Sequence, residues 1–234
     1  MLILGIDTSG RQGSVALLRV QGGELHLLGL STISGGQYSE LLLSTIADLL
    51  AHNGLQKTDL GLIAVASGPG SFTGLRIAIA TVKGLAEAFA IPVVTVSVLE
   101  AIAHASAAEG KVISAIDAQR SEVFWGEYNL APAEHSAIML SESLANFADF
   151  TSRIAATPAS PKVFTTDAPL AERLRQTGVD AALLAALSAE DFARLAYRKS
   201  LAGIRADVAT LDANYLRRSD AELFPALKPG GTPR

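Results

Sequence analysis

Cysteine is absent from the 234 residues of the chain. That excludes disulfides, thiolate nucleophiles and thiolate metal sites, and it fits a reducing compartment, so a cytoplasmic location is expected. Histidine is scarce as well. His26, His52, His104 and His135 are scattered, with no His-x-x-x-His pair and no carboxylate cluster at metal spacing, so no metal centre is expected. Hydrophobic residues make up 49% of the chain, yet no uninterrupted apolar stretch reaches the roughly 20 residues that a membrane helix needs, and no membrane role is expected. The opening run MLILGIDTSG carries no basic leader and reads as a buried strand, not a signal peptide. Nor is there a surplus of positive charge. Nineteen basic residues stand against 23 acidic ones, a formal charge of -4, whereas a protein that grips nucleic acid unaided presents a strongly basic surface. The pair Arg217-Arg218 is the one local exception, read either as a phosphate contact or as solvated surface.

What is present suffices for one large core or for two small lobes sharing an interface. Apolar runs at 2–8, 14–19 and 24–31, bounded by Gly, Gln and Ser turn signals, predict an antiparallel meander. From Gln37 to Ala51 the apolar residues Leu41, Leu42, Ile46, Leu49 and Leu50 take helical spacing, and Asn53-Gly54 ends the pattern. Residues 60–66 form an apolar run of the buried, parallel type, followed by a helix over 72–90 and a strand over 92–96. Another helix is predicted over 99–108. The order then begins again: Val112-Ile113-Ser114-Ala115-Ile116-Asp117 repeats the pattern of Leu2-Ile3-Leu4-Gly5-Ile6-Asp7, and 122–128 mirrors the strand beginning at Ser14. Helices are predicted at 142–150, 170–176 and 189–202, with a strand at 162–166. Residues 225–234, rich in Pro and Gly, are expected to form a mobile tail.

A strand that ends in Asp7-Thr8-Ser9 and returns through a tight turn is how an actin-like ATPase offers a carboxylate, hydroxyls and backbone N–H groups to nucleotide phosphates and metal. The second such hairpin, Asp117-Ala118-Gln119-Arg120-Ser121-Glu122, has no glycine to let a phosphate approach. Nucleotide binding therefore reads as eroded. Asp7 and Asp117 are structural remnants on this reading, with a weak or shared nucleotide site, or a working ATP site, as alternatives. The most distinctive segment is Gly68-Pro69-Gly70-Ser71-Phe72-Thr73-Gly74-Leu75-Arg76-Ile77, a glycine-rich strand-to-helix turn whose N–H groups suit an anion. It fails the Walker spacing and no lysine follows its glycines, and neither a Gly-x-Ser-x-Gly elbow nor a recognisable Ser-His-Asp context occurs. Ser71 is expected to cap the helix. Along that helix Ala80, Gly84 and Ala88 recur at every fourth residue, bordered by Ile77 and Thr81. Such a row lets another helix approach closely, either inside the fold or from another subunit.

With the GPGSFTGLR run, the chain resembles the bacterial TsaB family, also called YeaZ. The resemblance extends to Ile6-Asp7-Thr8-Ser9, Ser14-Val15-Ala16-Leu17, Ser39-Glu40-Leu41-Leu42, Ile116-Asp117-Ala118 with Glu122-Val123, and Tyr215-Leu216-Arg217. It implies an α/β fold of two actin-like (ASKHA, ribonuclease H-like) lobes, here 1–100 and 101–224. It also implies a non-catalytic role beside TsaD, the transferase that places threonylcarbamoyl on an anticodon-adjacent adenosine of tRNA. Family members meet that partner through the two N-lobe helices, which carries Ser39, Glu40, Leu42, Ile46, Ile77, Ala80, Thr81, Gly84 and Ala88 into the expected interface. A TsaE-type ATPase joins the assembly, the free subunit is expected to dimerise, and tRNA is met only through the complex. No cofactor of its own is expected, a nucleotide shared at the partner interface excepted. Two positions depart from the family pattern: Tyr38 stands where relatives carry His, and Gln119 where they carry a basic residue. The alternatives to this reading are an actin-like ATPase or kinase and a metal-dependent glycoprotease-like hydrolase.

Overall fold

The structure, a computed structural model, describes residues 1–130, 137–157 and 161–217. The expected tail at 225–234, Arg218 and His135 lie outside the described residues. The chain begins with β1 (Leu2–Asp7), β2 (Gln12–Gln21), β3 (Glu24–Ser34), α1 (Tyr38–His52), β4 (Leu60–Gly68), α2 (Phe72–Phe89) and β5 (Val93–Ser97). These strands form one sheet in the order β3-β2-β1-β4-β5. The meander pairs are antiparallel, whereas β1–β4 and β4–β5 are parallel. After α3 (Val98–Ala105) come β6 (Gly110–Asp117), β7 (Glu122–Leu130), β8 (Ala137–Asn146), α4 (Phe147–Ala156), β9 (Val163–Thr165), α5 (Ala168–Gln176), β10 (Ala181–Leu183) and α6 (Ala189–Leu201). Their sheet has the order β10-β9-β6-β7-β8, with antiparallel β6–β7–β8 and parallel β6–β9–β10. Read from the third strand of each set, the two orders are the same. The duplicated actin-like α/β architecture is thus explicit in topology, and Asp7 and Asp117 end equivalent strands.

Every residue of β1 is buried, because the first sheet is covered on both faces. Leu4, Ile6, Val15, Leu17, Ile63 and Val65 face α1 and α2. Ile3, Ala16, Leu18, Leu62, Ala64 and Val94 face α6 and part of α3. The cover of that second face is supplied by the other half of the chain. The N-terminus of α6 rests on β1 and β2: Ser14 Oγ accepts from the Ala189 amide at 2.8 Å, and a Cβ on Gly5 would lie 2.3 Å from the Ala189 carbonyl oxygen. In the opposite sense, Leu99 and Ala103 of α3 enter the core of the second sheet with Val112, Phe124 and Tyr128. A boundary after residue 100 falls inside α3, which packs on both sheets, while the first half is closed by α6 from the second.

Residues 205–217 return as a strap across both halves. Ala206 bridges Val93 at the edge of β5, and the Asn214 amide donates to the Ser67 carbonyl. Leu211 and Ala213 enter the first core. The strap then meets the second half. Asn214 Nδ2 donates to Glu142 Oε2 at 2.5 Å, while the Ser97 and Tyr128 hydroxyls donate to Oε1 of the same carboxylate. Arg217 pairs with Glu122 and lies over the Phe124 ring, so its guanidinium is held by the protein's own carboxylate.

The structure corrects the predicted helix over 142–150. Residues up to Asn146 are strand β8, in register with β7 through Ser143↔Trp125 and Leu144↔Phe124. The helix begins at Phe147, where Asn146 Oδ1 accepts from the Ala148 amide at 3.0 Å. Cross-strand pairing outweighs the helix-forming tendency of Glu142, Leu144 and Ala145. The three-residue strand β10, paired in parallel with β9, is an addition to the expected elements.

Candidate functional site

The β1–β2 hairpin and the glycine-rich turn, two separate motifs in the sequence, are one interlocked unit. Thr8 Oγ1 donates to the Gly74 carbonyl at 2.8 Å, and the Ser71 amide donates to the Ser9 carbonyl at 2.7 Å. A Cβ on Gly70 would sit 2.4 Å from the Ser9 carbonyl oxygen, and one on Gly74 only 2.1 Å from that of Thr8. Both glycines are needed because backbone touches backbone here. Ser71 caps α2 as expected, accepting from the Gly74 amide at 3.3 Å. Of the N–H groups of this turn, that of Ser71 is engaged by Ser9, so the motif fastens the hairpin of its own chain.

Asp7 is likewise turned inward. Its Oδ1 accepts from the Ser9 amide at 2.9 Å and from the Ser9 hydroxyl at 2.6 Å. Burial pushes its carboxyl above the ordinary value of 3.8, against the pull of the two Ser9 bonds, with the Asp191 carboxylate adding to the rise. The folded state therefore holds the proton more tightly than the unfolded one, and stability is lost as pH rises from the ordinary carboxylate range upward. Asp7→Asn keeps an oxygen for Ser9 and removes the charge. It is expected to equal or exceed the parent in stability at about pH 7, with the difference shrinking toward about pH 4, as urea unfolding at the two pH values will read out.

The second hairpin closes differently. Gln119, Arg120 and Ser121 all have positive φ, at 63°, 53° and 61°, a conformation L-residues seldom adopt. Asp117 is engaged by its neighbour: the Gln119 amide donates to Oδ1 at 3.2 Å and its Nε2 to Oδ2 at 2.7 Å. Both carboxylates that end the first strand of each half thus have protein partners within two residues.

The outward face of α2 settles where the small-residue row points. Ala80, Gly84 and Ala88 are exposed, Ile77 and Thr81 half-buried, and a Cβ on Gly84 would meet nothing within 4 Å. Among the described residues nothing packs on this row. On α1 the structure corrects the expected interface set. Leu42 and Ile46 are each 1% exposed and belong to the core beneath, since their helical phase matches Leu49 and Leu50. The exposed residues of the same helix include Ser39, Glu40, Leu41 and Leu43. Leu43, at 60% exposure, was not singled out in the sequence, although its place opposite the core stripe was readable.

A family model described as TsaD, tRNA N6-adenosine threonylcarbamoyltransferase, matches residues 32–213. The "tRNA threonylcarbamoyladenosine biosynthesis protein TsaB" of Escherichia coli is 35% identical over 131 residues, 55% of each chain. YeaZ from Pseudomonas aeruginosa is 30% identical and superposes with a TM-score of 0.71 over 92% of this chain and 100% of that one. The chain belongs to the TsaB (YeaZ) family. A second Pseudomonas aeruginosa structure, described as similar to peptidase YeaZ, gives 32% identity and a TM-score of 0.73 over 92% and 99% of the two chains. The aligned sequence spans about half the length of the curated relatives it matches, with 55% of the Bacillus subtilis TsaB protein also covered.

Within this family the two departures acquire a physical account. Tyr38 is 4% exposed. Its hydroxyl donates to the Gly10 carbonyl at 2.9 Å, and its ring fills the space a Cβ on Gly13 would take, 2.6 Å away. It clamps the hairpin at Gly10 and Gly13. Gln119 bonds Asp117 through both its amide and its side chain. Among the described residues no three His, Cys, Asp or Glu side chains gather as metal ligands, and no helix is long and apolar enough to cross a membrane.

Proposed function

We propose that this chain is a non-catalytic subunit of the machinery that forms threonylcarbamoyladenosine on tRNA, docking a TsaD-type transferase against the outward faces of α1 and α2. The observation that carries this reading is the interlock of Asp7, Thr8 and Ser9 with Gly70, Ser71 and Gly74. Groups that an actin-like enzyme offers to nucleotide are consumed in holding the first lobe together, while the exposed row Ala80, Gly84, Ala88 beside them is bare. The family's curated names, given to proteins of threonylcarbamoyladenosine biosynthesis, support the process. On this reading a TsaE-type ATPase joins the assembly, any nucleotide is held with the partners, and the free subunit covers the same face by self-association. The formal charge of -4 favours tRNA being met through the complex.

The test is reconstitution with one component omitted at a time, following threonylcarbamoyladenosine on tRNA. Modification should be lost when this chain is left out and absent when it is the only protein. Full modification without it would defeat the proposal. Calorimetric titration of the isolated chain with Mg-ATP separates the ATPase alternative, which requires tight binding.

A further inference from the structure

Beside the small-residue row, α2 and the strap enclose a groove of about 460 Å³ lined by Arg76, Ala80, Lys83, Asp212 and Tyr215, among others. Arg76 is exposed yet fixed. Its Cζ lies 3.8 Å above the centre of the Phe72 ring and 5.7 Å from that of Tyr215, and its Nε donates to the Tyr215 hydroxyl at 3.1 Å. The two rings stand 5.1 Å apart at 44°. Among the described residues Tyr215 is the hydrogen-bond partner of this guanidinium, through Nε, and none bonds its terminal nitrogens. A second cationic side chain, Lys83, donates to the Ala209 carbonyl at 3.4 Å at the groove wall.

We infer that this groove receives a carboxylate side chain of the transferase subunit, gripped by Arg76 as the specificity-determining contact; the inference rests on the docking reading above. A guanidinium oriented by one stacked ring and one hydrogen bond has little conformational freedom left to lose, and its free edge matches a carboxylate in two parallel bonds. Ala80 belongs both to the groove and to the bare row. A helix lying along the row therefore brings the side chains of one of its turns over Arg76. Nucleic acid is the poorer occupant: the formal charge is -4, and two cations give a single acidic group its match but give a phosphate chain no track.

The test measures binding of the purified transferase subunit to the full chain by calorimetry at two salt concentrations. Arg76→Ala is expected to weaken binding by roughly thirtyfold to a hundredfold and to flatten the salt dependence. Arg76→Lys, which keeps charge but loses the fork and the stack, is expected to cost about tenfold. Tyr215→Phe separates docking from mere fastening of the strap, because it removes the Nε bond and leaves the guanidinium on Phe72. Hydrogen exchange in 206–216 should rise in Tyr215→Phe while affinity stays within about threefold. If Arg76→Ala binds like the parent, or if Tyr215→Phe loses as much affinity as Arg76→Ala, the groove contact is refuted and the docking reading stands. If the parent chain itself fails to bind the transferase, both fall. Loss of tRNA binding by the assembled complex with unchanged protein affinity would assign the groove to nucleic acid and overturn the inference.

Discussion

Gly74→Ala is expected to destabilise the protein by about 3 kcal/mol or more, a fall of roughly 6–12 °C in Tm for a chain of this size. The change adds one methyl group to a helix, where alanine ordinarily gains up to about 1 kcal/mol over glycine. Here the sign reverses. The new Cβ would lie 2.1 Å from the Thr8 carbonyl oxygen and 3.3 Å from Ser71 Oγ, so no side-chain rotation relieves it. The hairpin must move off α2, breaking the Thr8 hydroxyl bond to Gly74 and the Ser71 amide bond to Ser9. Thermal unfolding of the purified variant is the check. Stability equal to the parent would mean that the motif does not fasten the hairpin, and the structural reading of the glycines would fail with it.

Gly84→Leu, ten residues along the same helix, should do the opposite: leave folding nearly intact and reduce binding of the transferase by on the order of a hundredfold. The space beyond Gly84 is open, with no atom within 4 Å of an added Cβ. In the isolated chain the leucine stem simply enters solvent, and Gly84→Ala should even gain about 0.5–1 kcal/mol through helix propensity. Between helices, however, a row of small side chains permits close approach, and one branched residue in its middle separates the two surfaces along their length. Calorimetric binding beside a thermal melt distinguishes the two effects. Unchanged affinity with an unchanged melt would remove this row from the interface.

The strand and helix order of the first half was readable because its periodicities are clean. The apolar run at 60–66 became a central parallel strand, and the Asn53-Gly54 stop became the end of α1. The second half was harder for identifiable reasons. Ser141 to Asn146 contain good helix formers, and only their pairing with β7 makes them a strand. Three residues at Ala181–Leu183 are too few to show an alternation. The candidate site was legible as a list of residues but not as an arrangement. Nothing in the spacing of Gly70 and Gly74 says that their neighbours are Thr8 and Ser9, whose hydroxyl bond to Gly74 spans 66 residues. The family likeness alone places Leu42 and Ile46 of α1 in an interface. The stripe formed by Leu42, Ile46, Leu49 and Leu50 already pointed to the core that the structure assigns to them.

The late arrival of α6 bears on how the chain is made. The first sheet is complete in sequence at Ser97, yet the longer of the two helices that cover its second face ends at Leu201. At bacterial or eukaryotic elongation rates of roughly 5–20 residues per second, that face waits on the order of 5–20 seconds for its cover. Ile3, Leu18, Leu62 and Val94 lack the α6 cover for that interval, so the first sheet is sealed well after its own strands are made.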